Sequence, residues 1–559
     1  METTRREWMI ALAAAGLVPR ESARAEAGTD LEAAALKRHD EAVDRLLKLQ
    51  VTDPASPHRG GFPDAYGLYH PGSAGGMVSV CNAAFLHPKS RYAGNPLMIE
   101  RLKLAIEYMH RSQSADGNID NLITNFNSPP DTAFAVQGVA AAANIARKRG
   151  HGEIVNLLEP FLKNAARGLT QGGMHTPNHR WVMCAAMAQI HELFPDPALV
   201  RRIDQWLAEG IDIDEDGQFD ERSILTYNPI TDRALLLTAI KLNRPELLDP
   251  VRKNLDCAFY LMHPGGEMVT EISRRQDRNQ RGNIGVYWMP MHYLALRDGN
   301  PLYAAVAHEY GMQQASLPVL MEYPEMLKPL PAPAPIPDNY EKVFPALKIA
   351  RIRRGLTSAT LLLGGDSRFF LLRRGDAVIN AVRFASAFFG KAQFVPQSWR
   401  KDGQSYLLHQ SLSGPYFQPL DPPRRIKALE WEETRPERAR SEVGSLNQTA
   451  AITETEKGFR VRIQALGTSG VPVAIEVSVR GQEGLEMDGL LRAPDVVDGF
   501  LLPAGKATIR TGGHQIRFGP GKQANSYTQV RGAEPKLPGG SVYITGFTPF
   551  DHTLEFVCG

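Results

Sequence analysis

PEMLKPLPAPAPIP, residues 324–337, divides this chain of 559 residues in two. Its prolines fix φ and remove backbone donors, so it reads as a semi-rigid linker without helix potential. The apolar period differs on its two sides. Before it, apolar residues recur three and four apart, the spacing of one helix face. LEAAALKRHDEAVDRLLKLQ (31–50), MIERLKLAIEYMHRSQ (98–113), AFAVQGVAAAANIARKR (133–149) and IVNLLEPFLKNAARGL (154–169) show it. RWVMCAAMAQIHELF (180–194), ALVRRIDQWLAEG (198–210), ALLLTAIKL (234–242), ELLDPVRKNLDCAFYLM (246–262) and a pair within 283–316 continue it. About ten to twelve helices in successive hairpins predict an α/α toroid, complete or incomplete, over 29–323. An irregular helical bundle is the alternative.

Beyond the linker, taken as 324–340, the period becomes two. ALKIARIRRG (346–355), SATLLLGG (358–365), SRFFLLRRG (367–375) and DAVINAVRF (376–384) are strands punctuated by glycine turns. FRVRIQALG, VAIEVSVRG, ATIRTGG, HQIRFGPG and HTLEFVCG follow in the same style. An antiparallel β-sandwich is expected over 341–559.

Composition narrows the function classes. The formal charge is +2, from 63 basic and 61 acidic residues, which leaves no electrostatic footprint for nucleic acid. The 43% hydrophobic and 22% charged content excludes a disordered chain, a collagen and a coiled coil. Cys81, Cys184, Cys257 and Cys558 are too scattered for a disulfide scaffold or a CxxC metal site. At the N-terminus, Arg5-Arg6 precede the apolar run 8–18, and Ala23-Arg24-Ala25 offers a small-residue cleavage site. Residues 1–25 therefore read as a signal peptide of twin-arginine type, and a periplasmic or secreted protein is expected. No later run reaches ~18 apolar residues, so no membrane span is expected.

The polar clusters lie in the helical half. NIDNLITNFNSPPDT (118–132) sets Asn118, Asn121, Asn125 and Asn127 beside Asp131 and Phe126. Planar amides and a carboxylate next to an aromatic face suit a sugar, while SPPDT alone would be a helix cap. GGMHTPNHRWVM (172–183) brings Asn178, His179 and Arg180 to a helix start, a set able to hold a carboxylate. DIDEDGQFDERSILTYNPITDRALLL (212–237) leads to Tyr227, which as a base needs nearby positive charge. MHPGGEMVTEISRRQDRNQRG (262–282) crowds Arg274, Arg275, Gln276 and Asp277 into one loop. No nucleophile elbow, P-loop or HExxH motif is present.

In order, these segments resemble the heparinase II/III-like polysaccharide lyases and the related alginate lyases. The resemblance rests on Asn178-His179 at a helix start, on DEDGQFDERSILTY ending at Tyr227, 48 residues beyond His179, and on the loop HPGGEMVTEISRRQD (263–277). It implies an α/α toroid followed by antiparallel β-sheets, acting on an acidic polysaccharide or oligosaccharide. It further implies β-elimination at a uronic acid. Asn178 and His179, with Arg180, would neutralise the carboxylate, and Tyr227 would serve as general base, acid or both. Arg274, Arg275 and the asparagine-rich segment become substrate-binding candidates. The chemistry requires no cofactor, and the sequence names no ligand set for a structural metal in the β-half. The rival readings are a glycoside hydrolase using two of Asp120, Asp131, Asp216 and Glu221, and a non-catalytic glycan-binding protein.

Overall fold

The computed structural model describes residues 30–559 except 482, 490 and 495. The signal peptide of twin-arginine type expected over 1–25 lies outside the described residues. The chain forms two compact units. One comprises 30–262 and Gly266–Ile336; the other comprises Pro337–Gly559 with His263–Gly265.

The first unit is helical. Helix α1 (Leu31–Leu49) is capped by Asp30, whose carboxylate accepts from Glu32 N and Ala33 N. Then come α2 (Pro71–Leu86), α3 (Pro96–Arg111), α4 (Pro129–Lys148), α5 (Gly152–Gln171), α6 (Pro177–Leu193), α7 (Pro197–Leu207), α8 (Tyr227–Leu242), α9 (Leu248–Tyr260), α10 (Trp288–Asp298), α11 (Pro301–Glu309) and α12 (Leu317–Glu322). Proline opens many of them, where its missing N–H costs nothing. Helices α2, α4, α6, α8 and α10 form the inner layer, each packed on the next. No comparable contact between α10 and α2 closes the row into a ring. Each inner helix is followed by an outer partner, and α12 packs on α1, α2 and α4. This is an incomplete α/α toroid.

Helix α2 has no counterpart in the apolar-period reading. PGSAGGMVSVCNAAFL is small and apolar on most faces, and most of it is buried, so no polar stripe marks it as a helix. Helix α8 begins at Tyr227 rather than near Ala234, because Pro229 falls in its first turn, where proline is tolerated. The linker, expected to be semi-rigid and without helix potential, differs at its two ends. Pro324–Leu327 is a 3₁₀ turn, Ala334 N donates to Pro301 O, and a strand begins at Asn339.

His39, on α1, is buried, with Nε2 at 3.0 Å from Val80 O. Burial pushes its imidazole down to about 4. The unfolded chain takes up this proton at about pH 6.5. His39 therefore leaves stability intact above pH 6.5 and removes it as pH falls towards 4, by about 3 kcal/mol in all. Urea unfolding across that window should show the loss, and His39→Gln should flatten the slope.

The second unit is a sandwich of a nine-stranded and an eight-stranded sheet. Pairing is antiparallel except where Gly499–Leu501 runs parallel to Gly540–Phe547. Strand Ser405–Phe417 alternates buried positions with half-buried or exposed ones along its first ten residues, as one covered face requires. Phe369, Phe384 and Phe394 pack in the core, the last two stacked at 4.4 Å. Arg383 and Glu476 sit opposite each other on neighbouring strands and form a buried ion pair at 2.6 Å.

Candidate active site

One group of polar side chains converges at the N-terminal ends of α6 and α8. Pro177 opens α6, so Asn178 is its second residue and not its cap. The orphan donors of this end are met from outside. Glu221 Oε1 accepts from Asn178 N at 3.3 Å and from Asn178 Nδ2 at 2.8 Å. A carboxylate here also complements the positive end of the helix dipole. Asn178 Nδ2 reaches Thr176 Oγ1 as well, at 3.2 Å, while Asn178 Oδ1 is buried without a hydrogen-bond partner.

Glu221 has a second charged neighbour. Arg275 Nη1 lies 3.1 Å from its Oε2. The same guanidinium covers the Tyr227 ring, 4.5 Å from its centroid, in cation–π geometry. Gln276 Nε2 donates to the Tyr227 phenol oxygen at 2.9 Å. A continuous chain thus runs Asn178, Glu221, Arg275, Tyr227, Gln276. Tyr227 is 4% exposed.

Asp277 holds the two contributing loops together. Its Oδ1 accepts from Ser223 Oγ at 2.9 Å, and its Oδ2 accepts from Leu225 N at 2.9 Å and Ser273 Oγ at 3.0 Å. Ser223 Oγ in turn accepts from Tyr227 N. Beneath them, Asn228 Nδ2 donates to Gln218 Oε1 at 2.8 Å. The Tyr227 backbone is therefore set by Ser223 and Asp277, and its phenol by Gln276.

His179 is buried beside this group, with His175 edge-on at 4.7 Å and Phe134 edge-on at 6.3 Å. Arg180 is turned elsewhere. It pairs with Glu209 at 3.1 Å and Asp212 at 2.9 Å and lies 4.6 Å over the Trp181 ring. Successive helix positions point about 100° apart, so adjacency to His179 did not place Arg180 with it. Arg274 approaches the Asp220 carbonyl, at 3.5 Å, from an exposed position.

The asparagine-rich segment is a two-stranded hairpin, β1 (Ile119–Asn121) and β2 (Asn125–Ser128). Its amides are largely engaged within the protein. Asn121 Nδ2 and Asn125 Nδ2 donate to the two oxygens of Asp131, at 2.9 and 2.7 Å. Asn127 Nδ2 donates to Asp116, and its backbone N to Asp120. Asn118 is buried against Gly168, where a Cβ would come within 2.3 Å of its Oδ1. Asn127 has φ 46°, a left-handed conformation that asparagine tolerates. Asp131 also takes Ser128 Oγ at 2.6 Å, which ties the hairpin to the start of α4. Among the described residues, no group of three or more His, Cys, Asp or Glu side chains is arranged to hold a metal ion, and no helix is long and apolar enough to cross a membrane.

The reading of the sequence left Glu221 among rival acids and gave Gln276 no role. The signal that would have found Glu221 is its place two residues before buried Ser223 and six before buried Tyr227, where a carboxylate carried inward needs a partner.

No protein-family model matches the chain, and no curated protein sequence does. Solved structures do. Chondroitin AC lyase of Streptomyces coelicolor A3 superposes with a TM-score of 0.57 at 14% identity, over 99% of this chain and 82% of that one. Xanthan lyase of Paenibacillus superposes with a TM-score of 0.56 at 10% identity, over 100% of this chain and 59% of that one.

Proposed function

We propose that the protein, whose helical toroid and β-sandwich give it the fold of the polysaccharide lyases, is an exported lyase cleaving a uronate-containing glycan by β-elimination. The observation that carries the reading is the chain Asn178–Glu221–Arg275–Tyr227–Gln276. It sets a phenol beneath a guanidinium and beside a glutamine amide, at the helix start that carries Asn178 and His179.

Elimination removes the proton at C5 of the uronate and expels the sugar at C4. The C–H becomes acidic enough only if charge developing on the carboxylate is met by fixed donors. His179 serves that task; Asn178 joins it only by releasing Glu221 or Thr176, which hold both of its amide protons. Tyr227 takes the C5 proton and returns it to the leaving oxygen. Arg275 above the ring and Gln276 at the phenol oxygen supply positive charge and a donor where negative charge develops. They are held there before substrate arrives, by Glu221 and by the loop that Asp277 anchors. Delivery by the twin-arginine route would put the folded enzyme in the periplasm or outside the cell, where such glycans occur.

The test is incubation with heparan-type, alginate, hyaluronan, chondroitin, xanthan and glucuronan substrates, following ultraviolet absorbance of a C4–C5 double bond. A rise with at least one of them is expected. New reducing ends without absorbance would instead mean hydrolysis.

A further inference from the structure

A cavity of about 550 Å³ lies within the helical unit, enclosed by α1, α2, α4, α8 and the segment 313–323. Tyr227, Glu221 and Asn178 do not line it. Its charge is unbalanced. Arg233, on α8, donates from Nη2 to Gln137 Oε1 at 2.6 Å, and its Nε is inaccessible and without a hydrogen-bond partner. Arg38, on α1, donates to two carbonyls, Met312 O and Ala315 O. Among the described residues, neither guanidinium forms an ion pair with a carboxylate.

The acids of the lining are already committed. Asp64 pairs with His70 at 3.1 Å, and Glu322 with Lys241 at 2.7 Å. Asp232, next to Arg233 in sequence, is buried with neither oxygen partnered, and burial holds its carboxyl well above the usual range. It supplies no counter-charge. His39 is neutral at pH 7 and supplies no further positive charge. Both guanidinium side chains are half-buried, and a half-buried cation without a counter-ion bears part of its desolvation penalty until a ligand provides the anion.

Two more observations shape the ligand. Gln189 is buried in the lining, and its Oε1 is inaccessible and without a hydrogen-bond partner, so a turn of this amide towards the cavity would offer an acceptor to a hydroxyl. Gly76 sits inside α2, where glycine is less favourable than alanine. A Cβ there would meet no heavy atom within 4 Å, so close packing does not explain it; it leaves the cavity open. Phe134 gives the lining an aromatic face, and its ring edge also abuts His179.

We propose that this cavity binds an anionic sugar unit, its carboxylate or sulfate ester paired with Arg233 and Arg38. Its hydroxyls meet the Gln137 and Gln189 amides and its ring packs against Phe134. That the unit belongs to the glycan being cleaved rests on the lyase reading; the need for an anion does not.

Calorimetric titration of the full-length mature protein with glucuronic acid, galacturonic acid and N-acetylglucosamine 6-sulfate tests it, with glucose and inorganic sulfate as controls. At least one acidic sugar should bind, with glucose at least tenfold weaker. Arg233→Met should weaken binding at least tenfold. Should that variant fail to fold, Gly76→Leu, which fills the void, should abolish binding while unfolding like the parent. Glucose binding as tightly, inorganic sulfate binding as tightly as the sugar acids, no binding by any acidic sugar, or binding indifferent to Gly76→Leu would each overturn the proposal. Acidic-sugar binding without elimination on any glycan would uphold the cavity and overturn only the catalytic reading. Elimination without such binding would do the reverse.

Discussion

Tyr227→Phe is expected to lower formation of the unsaturated product by about 10²–10⁴-fold, the usual contribution of a positioned acid–base group. The substitution removes one oxygen. The ring stays beneath Arg275, and the backbone N–H stays on Ser223 Oγ. The bond from Gln276 Nε2 is lost, and a single hydrogen bond of this kind contributes about 1 kcal/mol. Activity and stability should therefore separate: circular dichroism and the urea midpoint change little while absorbance nearly vanishes. A variant keeping more than about a tenth of the activity, against the loss expected of an acid–base group, would remove Tyr227 from the chemistry.

Glu221→Ala should cost both. Glu221 is 7% exposed and serves Asn178 and Arg275 together. Without it, the donors of Asn178 lose their acceptor and the guanidinium its counter-ion. Removing one partner of a buried pair costs about 3–5 kcal/mol, and the partial exposure of Arg275 puts this one near the lower figure. Activity should fall about 10²-fold, because Arg275 and Asn178 both shift. Glu221→Gln keeps the shape and the Asn178 contact, so stability should recover to within about 1.5 kcal/mol. The paired variants read out the role. A positioning residue gives a Gln variant with measurable elimination. Reducing ends without a double bond, lost in Glu221→Gln, would make Glu221 a hydrolytic acid.

The class of the fold was legible because periodicity is local. The 3.6-residue spacing of 31–50 or 154–169 and the two-residue spacing of 459–465 each follow from one buried face. Where burial has no single face, the signal disappears. Helix α2 is covered nearly all round, and its glycines and serines look like a loop. The long strand Arg440–Thr455 is rich in Ser, Asn, Gln and Thr, so hydropathy alone does not mark it as a strand.

The candidate site divides in the same way. Asn178, Tyr227 and Arg275 stand out in the chain as residue types whose chemistry fits a carboxylate and a proton transfer. What joins them is Glu221 and Gln276, 43 and 49 residues away from their respective partners Asn178 and Tyr227. Side-chain direction decides such contacts, and it depends on helix phase and loop path. The same phase turned Arg180 to Glu209 and Asp212, and gave Asn121 and Asn125 to Asp131. The sequence alone determined the two-part architecture, since binary pattern dictates which faces are buried. Only the tertiary structure decided which polar groups satisfy one another and which remain facing a cavity, because each buried donor takes the nearest acceptor in space rather than in sequence.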